Sequence, residues 1–241
     1  MQLLIHIFFR LFSIYYRDTL NDVVIFLDKA PRQTQDRAVA DILFITHPDV
    51  VVDPTIPVPN WPLSARGRQR MAALAGRPIA GQIQSIACSK ERKAVEAAEI
   101  LGERRQLTPI RFADLGENDR SATGFLPSEE FEATADLFFA NPTNSVRGWE
   151  RAIDAQQRIV AVTNRIRTSA PADPSTMVAV IAHGAVGALL LCRLKNVPID
   201  RKWDQPGGSG GHYFRFSCSD LGLKHGWRPI DPAPSDHDND G

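Results

Sequence analysis

The chain has 241 residues, 43% of them hydrophobic and 23% charged, which suits one soluble globular domain or two small ones. Its 28 basic side chains are balanced by 28 acidic ones. This balance argues against a protein that binds duplex nucleic acid, because such a protein would carry a basic excess.

Both ends of the chain differ in composition from the middle. Residues 1–39 start with an apolar and aromatic stretch, whose uninterrupted parts are too short to span a bilayer and which lacks the features of a signal peptide. We interpret this extension as an appendage, and membrane contact by residues 1–16 is the less favoured alternative. Residues 232–241 are polar and acidic, so we expect a disordered tail. Residues 40–231 are expected to form the functional domain.

The first half of this domain alternates strand and helix signals. Short apolar runs predict strands over residues 40–47, 83–89 and 108–112. Helical patterns predict helices over residues 64–76, 90–103 and 128–139. Ser64 and Ser89 are the expected N-caps of the first two helices, and residues 114–127 form a long polar loop.

The second half continues the alternation. A helix is predicted over residues 145–169, followed by the strongest buried-strand signal of the chain at 177–183. Gly184 and an apolar helix come next, then a glycine-rich loop at 206–211 and a last strand at 212–217. We expect the three cysteines to be buried free thiols in a reducing, cytoplasmic compartment, since none lies in a zinc-binding pattern.

Alternating strands and helices predict an α/β fold of three layers, with a mostly parallel central sheet and helices on both faces. Sites in such sheets form at the carboxyl ends of the strands. Two predicted strands end in a histidine there, His47 and His183, and a third strand meets its helix at Ser89 and Lys93. A single histidine at a strand end is usually structural, but this convergence predicts a site.

The chemistry of the site can be narrowed by exclusion. The chain has no GxSxG nucleophile motif, no HExxH metal motif and no GxxxxGK[ST] phosphate loop, so we expect neither a metal nor a cofactor. Histidine as a covalent phosphoryl carrier remains. That reaction needs a neutral imidazole, cations around the phosphoryl oxygens and a proton donor for the leaving alcohol.

The segments ILFITHP, PLSARG, IACSKERKAVEAAEIL, DLGEND and VAVIAHG occur in an order that resembles the histidine phosphatase superfamily, the phosphoglycerate-mutase-like proteins. The resemblance spans residues 42 to about 217. It implies that His47 is the phosphorylated nucleophile, that Glu117 is the proton donor and that His183 completes the pocket.

The chain departs from the family pattern at three positions. Thr46 and Pro48 flank His47 where the family has arginine and glycine, and Lys93 stands where it has a second arginine. An ammonium is a point charge, whereas a guanidinium grips phosphate with two parallel hydrogen bonds. The expected phosphate-binding residues are therefore a reduced set, with Arg120 as an additional cation: Thr46, Ser89, Lys93, Gly184 and Arg120.

These residues predict a phosphomonoester hydrolase that acts on a small organic phosphate through phosphohistidine. The aromatic and apolar side chains of residues 118–150 favour an organic group over bare phosphate: Phe125, Leu126, Phe131 and Trp149. Three alternatives stay open. They are a catalytically silent phosphate-ligand binder of the same fold, a phosphoglycerate-mutase-type phosphotransferase, and an interaction protein that works through its apolar N-terminal segment.

Overall fold

The computed structural model describes residues 39–231. The apolar extension at 1–38 and the acidic residues 232–241 lie outside the described residues, so the interpretations of both ends stay predictions. Within residues 39–231, no helix is long and apolar enough to cross a membrane.

Residues 39–231 form six strands and five α-helices, with short 3-10 turns between them. The strands are β1 (Asp41–Thr46), β2 (Ile83–Ser89), β3 (Ile110–Phe112), β4 (Met177–Ala182), β5 (His212–Ser217) and β6 (Leu223–Pro229). The helices are α1 (Ala65–Ala75), α2 (Arg92–Glu103), α3 (Ser128–Ala140), α4 (Ala152–Thr168) and α5 (Gly184–Leu194).

All six strands belong to one sheet, in the order β3-β2-β4-β1-β5-β6. The first four are mutually parallel, whereas β5 runs antiparallel to β1 and β6 antiparallel to β5. The predicted mostly parallel α/β architecture is therefore confirmed, with an antiparallel pair of strands added at one edge.

Alternation along the central strands builds one core on each face of the sheet. In β1, Leu43 and Ile45 pack in the cluster that includes α1 and α2, while Ile42 and Phe44 pack in the cluster that includes α4 and α5. Every residue of β1 and β4 is buried, as expected for strands covered on both faces. Helices on both faces are thus confirmed, and the three cysteines are buried and unpaired.

The two predicted helix caps have different outcomes. Ser64 caps α1 as expected, because its hydroxyl accepts a hydrogen bond from the Gly67 N–H at 3.1 Å. The prediction for Ser89 was wrong. Its hydroxyl accepts from the Glu91 N–H at 3.2 Å, and the helix begins only after Glu91, which occupies the cap position.

The predicted helix over 145–169 was too long at its start. Arg147 and Gly148 have positive φ angles of 52° and 81°, which a right-handed helix cannot contain. The chain turns there, and α4 begins at Ala152. Trp149, which lies within the predicted helix, is instead buried just after this turn, where its indole N–H donates to the Thr123 hydroxyl at 2.9 Å.

Strand β6 was not predicted from the sequence. It contains Gly226 and mostly half-exposed residues, so it lacks the alternation that marks a half-buried strand. Its Trp227 ring packs edge-on against Phe214 of β5, with ring centroids 4.7 Å apart. This long-range aromatic contact helps to place the strand, and no local pattern encodes it.

The chain that leaves β1 is held in place by α1. The Gly67 position packs against the carbonyl of Asp49, and a side chain on residue 67 would overlap that oxygen. Arg70, from the same helix, pairs with Asp49 at 2.7 Å and with Asp231 at 2.6 Å. These contacts fix the segment that immediately follows His47.

Replacement of Gly67 by alanine tests this packing. We expect Gly67→Ala to destabilise the protein by about 1–3 kcal/mol, the usual range for overpacking, because the new methyl group must displace the Asp49 backbone. Gly226→Ala is the matched control, since a Cβ at that position meets no atom within 4 Å. Thermal unfolding of both variants would measure the difference, and equal midpoints would contradict the proposed contact.

Candidate active site

Two histidines meet at the carboxyl edge of the sheet. Thr46 of β1 pairs directly with Ala182 of β4, so the residues that follow them, His47 and His183, emerge side by side. Their ring centroids are 5.1 Å apart and the rings meet edge to face, with 69° between the planes. Both line a cavity of about 680 Å³. The register of two parallel strands therefore brings the predicted histidines together.

His47 is held as a neutral imidazole with a defined tautomer. Its Nδ1 lies 3.0 Å from the Pro48 carbonyl oxygen, which can only accept a hydrogen bond, so Nδ1 carries the proton. Burial, and then the nearby Lys93 ammonium, lowers the pKa of His47 from 6.5 to about 4. At neutral pH the Nε2 atom thus has a free lone pair, as a nucleophile requires.

His183 is fully buried, with 0% of its surface exposed. Neither of its ring nitrogens makes a hydrogen bond to a residue of the described chain, although Nε2 lies 3.3 Å from Glu91 Oε1. Burial holds the pKa of His183 well below its usual value, against the opposing charge of Glu91. His183 is therefore a neutral polar group with unused hydrogen-bonding capacity at the cavity wall.

A largely buried carboxylate, Glu91, contacts three residues that line the cavity, Lys93, Glu117 and His183, and it was not singled out from the sequence. It pairs with the Lys93 ammonium at 2.5 Å and accepts a hydrogen bond from the Glu117 backbone N–H at 2.8 Å. Burial would raise its pKa, but the neighbouring His183, Lys93 and backbone N–H outweigh burial and lower it. A glutamate flanked by Lys90 and Arg92 at a helix start is usually solvated, so its contacts here become visible only in the tertiary structure.

Lys93 lines the cavity, as predicted, but its charge is already engaged. Only 4% of the residue is exposed, and Nζ also donates to the Val58 carbonyl at 3.0 Å. The ion pair with Glu91 neutralises the ammonium locally. Lys93 thus offers a bound anion much less positive charge than an arginine free of a carboxylate partner would.

Glu117 lies against the amino end of α5. Its carboxylate accepts hydrogen bonds from three backbone N–H groups, those of Asn118 at 3.2 Å, Ala185 at 3.3 Å and Val186 at 3.1 Å. Helix amino ends attract negative charge, so the position suits a carboxylate. Glu117 lines the cavity beside Gly184, which opens α5, and both residues are placed where the sequence predicted.

Two of the predicted phosphate-binding residues do not line the cavity. Thr46 is fully buried and directs its hydroxyl to the Gln205 side chain, 2.6 Å away. Ser89 is also fully buried and bonds the Glu91 N–H. The other six predicted site residues do line one cavity. They are His47, Lys93, Glu117, Arg120, His183 and Gly184.

Arg120 is the cavity-lining cation with no carboxylate partner among residues 39–231. Its guanidinium lies over the rings of Phe131 and Trp149, at 5.0 and 5.6 Å from their centroids. Arg201, another cation of the cavity wall, is paired with Glu132 and Asp136. The positive charge available for an anion thus comes mainly from the loop that follows Glu117.

Aromatic rings form part of the cavity wall. Phe131 and Trp149, noted in the sequence, line the cavity together with Trp61. Phe125 lies against Trp61, with ring centroids 5.8 Å apart. The cavity therefore combines the polar histidines with apolar side chains that suit an organic group.

One further carboxyl of the cavity has an unusual environment. Burial, together with the charge of Glu117, raises the pKa of Asp204 to about 6, although the Gln205 N–H opposes this shift. Within residues 39–231, no three side chains of His, Cys, Asp or Glu are grouped to hold a metal ion.

Comparison with solved structures shows close agreement in fold. The chain superposes on a mycobacterial glucosyl-3-phosphoglycerate phosphatase with a TM-score of 0.63 and 22% identity, covering 78% of this chain and 96% of that one. A Bacillus stearothermophilus protein, YhfR, gives 0.63 and 21%, covering 78% and 95%. A putative alpha-ribazole-5'-P phosphatase from Escherichia coli gives 0.55 and 19%, covering 80% and 97%. At these identities the likeness establishes the fold alone.

Comparison with curated protein sequences finds no match. The family model described as histidine phosphatase superfamily (branch 1) matches residues 56–214. The match begins after His47, so the assignment of that residue depends on the geometry rather than on the family model. Because the matched segment covers more than half of the 241 residues, the chain belongs to branch 1 of the histidine phosphatase superfamily.

Proposed function

We propose that this protein is a phosphomonoester hydrolase that acts on a small organic phosphate through a phosphohistidine at His47. The observation that carries the proposal is the state of His47, a neutral imidazole whose Nδ1 is bonded to Pro48 and whose Nε2 is free in the cavity. A free imidazole lone pair at neutral pH is what attack on phosphorus requires. Two of the structural neighbours, a mycobacterial glucosyl-3-phosphoglycerate phosphatase and a putative alpha-ribazole-5'-P phosphatase, support this proposal.

The reaction has two steps. His47 Nε2 attacks phosphorus, the bond to the alcohol oxygen breaks, and that oxygen takes a proton from Glu117 in its protonated form. The three backbone N–H groups at the amino end of α5 then stabilise the Glu117 carboxylate that is left. Glu117 then accepts a proton from water, whose oxygen attacks the phosphohistidine and breaks the phosphorus–nitrogen bond. Inorganic phosphate and the alcohol leave, His47 is again neutral and Glu117 is again protonated. His183, with no hydrogen bond from residues 39–231, is available to a phosphoryl oxygen.

A phosphate-binding protein without turnover is the second candidate, and one observation favours it. The Lys93 ammonium is paired with Glu91, and position 46 holds no cation, so the phosphate end of the cavity has little free positive charge. Preorganised charge donors usually supply about a hundredfold to a thousandfold in rate each. The labelling experiment below separates the two candidates.

Incubation with a ³²P-labelled phosphate ester should give an acid-labile label on His47. The label should still form at pH 5, because a histidine with a pKa of about 4 stays mostly neutral there, whereas an ordinary one is mostly protonated. His47→Ala should abolish the label, and His225→Ala, on β6 outside the cavity, should keep it. Label that survives in His47→Ala would exclude His47 as the nucleophile. Phosphate binding without any label in the wild type would favour the silent binder.

Glu117→Gln tests the proton donor. General acids contribute about 10²–10⁴-fold in rate, and the contribution is largest when the leaving alcohol is a poor one. We therefore expect Glu117→Gln to slow hydrolysis of alkyl phosphates far more than that of an activated aryl phosphate. Glu129→Gln, an exposed residue of α3, is the matched control. Equal losses on both classes of ester would mean that Glu117 only supports the start of α5.

Arg120→Ala tests the source of positive charge. Because Arg120 has no carboxylate partner in the described chain, its loss should lower kcat about a hundredfold or more and weaken inhibition by inorganic phosphate. Arg92→Ala is the control, since Arg92 is exposed and paired with Glu96. Unchanged kinetics in Arg120→Ala would refute the assignment of Arg120 as the source of positive charge.

Lys93→Ala tests the ion pair between Lys93 and Glu91. It should lower the free energy of unfolding by about 3–5 kcal/mol, because it leaves the largely buried Glu91 without its counter-charge.

A further inference from the structure

Position 46 is where the family resemblance calls for an arginine, and the structure offers a different arrangement there. The Thr46 hydroxyl lies 2.6 Å from Gln205 Oε1. Gln205 comes from the loop between α5 and β5 and, unlike Thr46, it lines the cavity. A residue distant in sequence thus extends from the end of β1 into the site.

The contacts of Thr46 decide which way the Gln205 amide faces. The Thr46 hydroxyl accepts a hydrogen bond from the His212 backbone N–H at 3.0 Å, which leaves its own proton to donate. The separation of 2.6 Å from Gln205 is typical of an O–H···O bond and short for an N–H···O bond. The amide oxygen therefore faces Thr46, and the amide nitrogen must face the other way.

The amide nitrogen lies against the first residue of α5. A Cβ on Gly184 would be 2.5 Å from Gln205 Nε2, so the amide in this orientation packs directly against the Gly184 backbone. No residue in 39–231 accepts a hydrogen bond from this nitrogen, which leaves two N–H donors beside the amino end of the helix. Gly184 directly follows His183, so these donors lie close to the paired histidines.

We propose that Gln205 binds a phosphoryl oxygen of the substrate through Nε2, and that Thr46 is a positioning residue that fixes the orientation of this amide. The proposal rests on the proposed function, because it assigns a ligand to the same cavity. A neutral amide supplies donors without charge, so this pair replaces the hydrogen bonding of the expected arginine but not its cation. Arg120, which lines the same cavity, supplies the charge.

Binding of inorganic phosphate to the full chain, measured by calorimetry, tests the proposal without requiring turnover. Gln205→Glu is nearly isosteric and exchanges the donor for a carboxylate that repels phosphate, so we expect a loss of affinity on the order of a hundredfold. Gln205→Ala should lose about tenfold, as expected for one hydrogen-bond donor. Gln82→Glu, exposed at the amino end of β2 and thus at the opposite edge of the sheet, introduces the same charge and should bind like the wild type.

Thr46 is tested through its dependence on Gln205. Thr46→Val should weaken phosphate binding about as much as Gln205→Ala, and Thr46→Ser should restore it, because serine keeps the hydroxyl. In the Gln205→Ala background, Thr46→Val should have no further effect on affinity. A merely structural role for Thr46 predicts instead that the two losses add.

Each outcome decides the question. Wild-type affinity in Gln205→Glu, additive losses in the double variant, or absence of phosphate binding to the wild type would overturn the proposal. Phosphate binding that depends on Gln205 and Thr46, in a protein that forms no label on His47, would support this inference while refuting the proposed hydrolase. Thermal unfolding of each variant identifies any loss that comes from misfolding.

Discussion

The parallel pairing of β1 with β4 is the constraint on which the site depends. With Thr46 opposite Ala182, the two strands end at the same level, and both following residues are histidines. Full burial of both strands keeps these imidazoles in a medium that disfavours their charged forms. The loop before β5 packs closely against His47. Gly210 lies on the His47 carbonyl, where a side chain would overlap it, and Gly211 donates its N–H to that oxygen at 3.2 Å. Their φ angles of 66° and 71° suit glycine.

Two neutral histidines affect a phosphoryl-transfer site in opposite ways. In the proposed mechanism they supply a nucleophile and a hydrogen-bonding partner at neutral pH, but they give the dianion of a phosphate ester no positive charge. The Lys93–Glu91 pair adds little net positive charge to the cavity, because its two opposite charges lie against each other. The cation of Arg120 then matters most. Its position over Phe131 and Trp149 lets a guanidinium stay in the cavity without a carboxylate to hold it.

Local patterns were sufficient for most of the fold and for the residues at the strand ends. Buried strands and the α1 cap follow from apolar runs and from a serine at a fixed offset, both short-range signals. The pattern at 145–151 was misread, because the apolar spacing continues through residues whose φ angles are positive. Strand β6 depends on pairing with β5, which leaves no periodic trace in its own sequence. The same distinction separates His47, predicted from its strand, from Glu91 and Gln205, whose roles arise only where distant segments meet.

The two residues that replace the family's arginines, Thr46 and Lys93, make contacts that the sequence alone does not show. Threonine in place of arginine at position 46 leaves no cation there, but its hydroxyl bonds Gln205, whose amide nitrogen packs against Gly184 at the start of α5. Lysine in place of arginine at position 93 is accompanied by Glu91, which also accepts the Glu117 N–H and so ties α2 to the loop that carries Arg120. Thr46 thus contacts Gln205, the hydrogen-bond donor that we propose in place of the first arginine. Lys93 is linked through Glu91 to the loop that carries Arg120, the cation that we propose in place of the second. In the arrangement that we propose, Gln205 and Arg120 line the same cavity as two neutral histidines, so a hydrogen-bond donor and a cation are present without the two arginines of the family pattern.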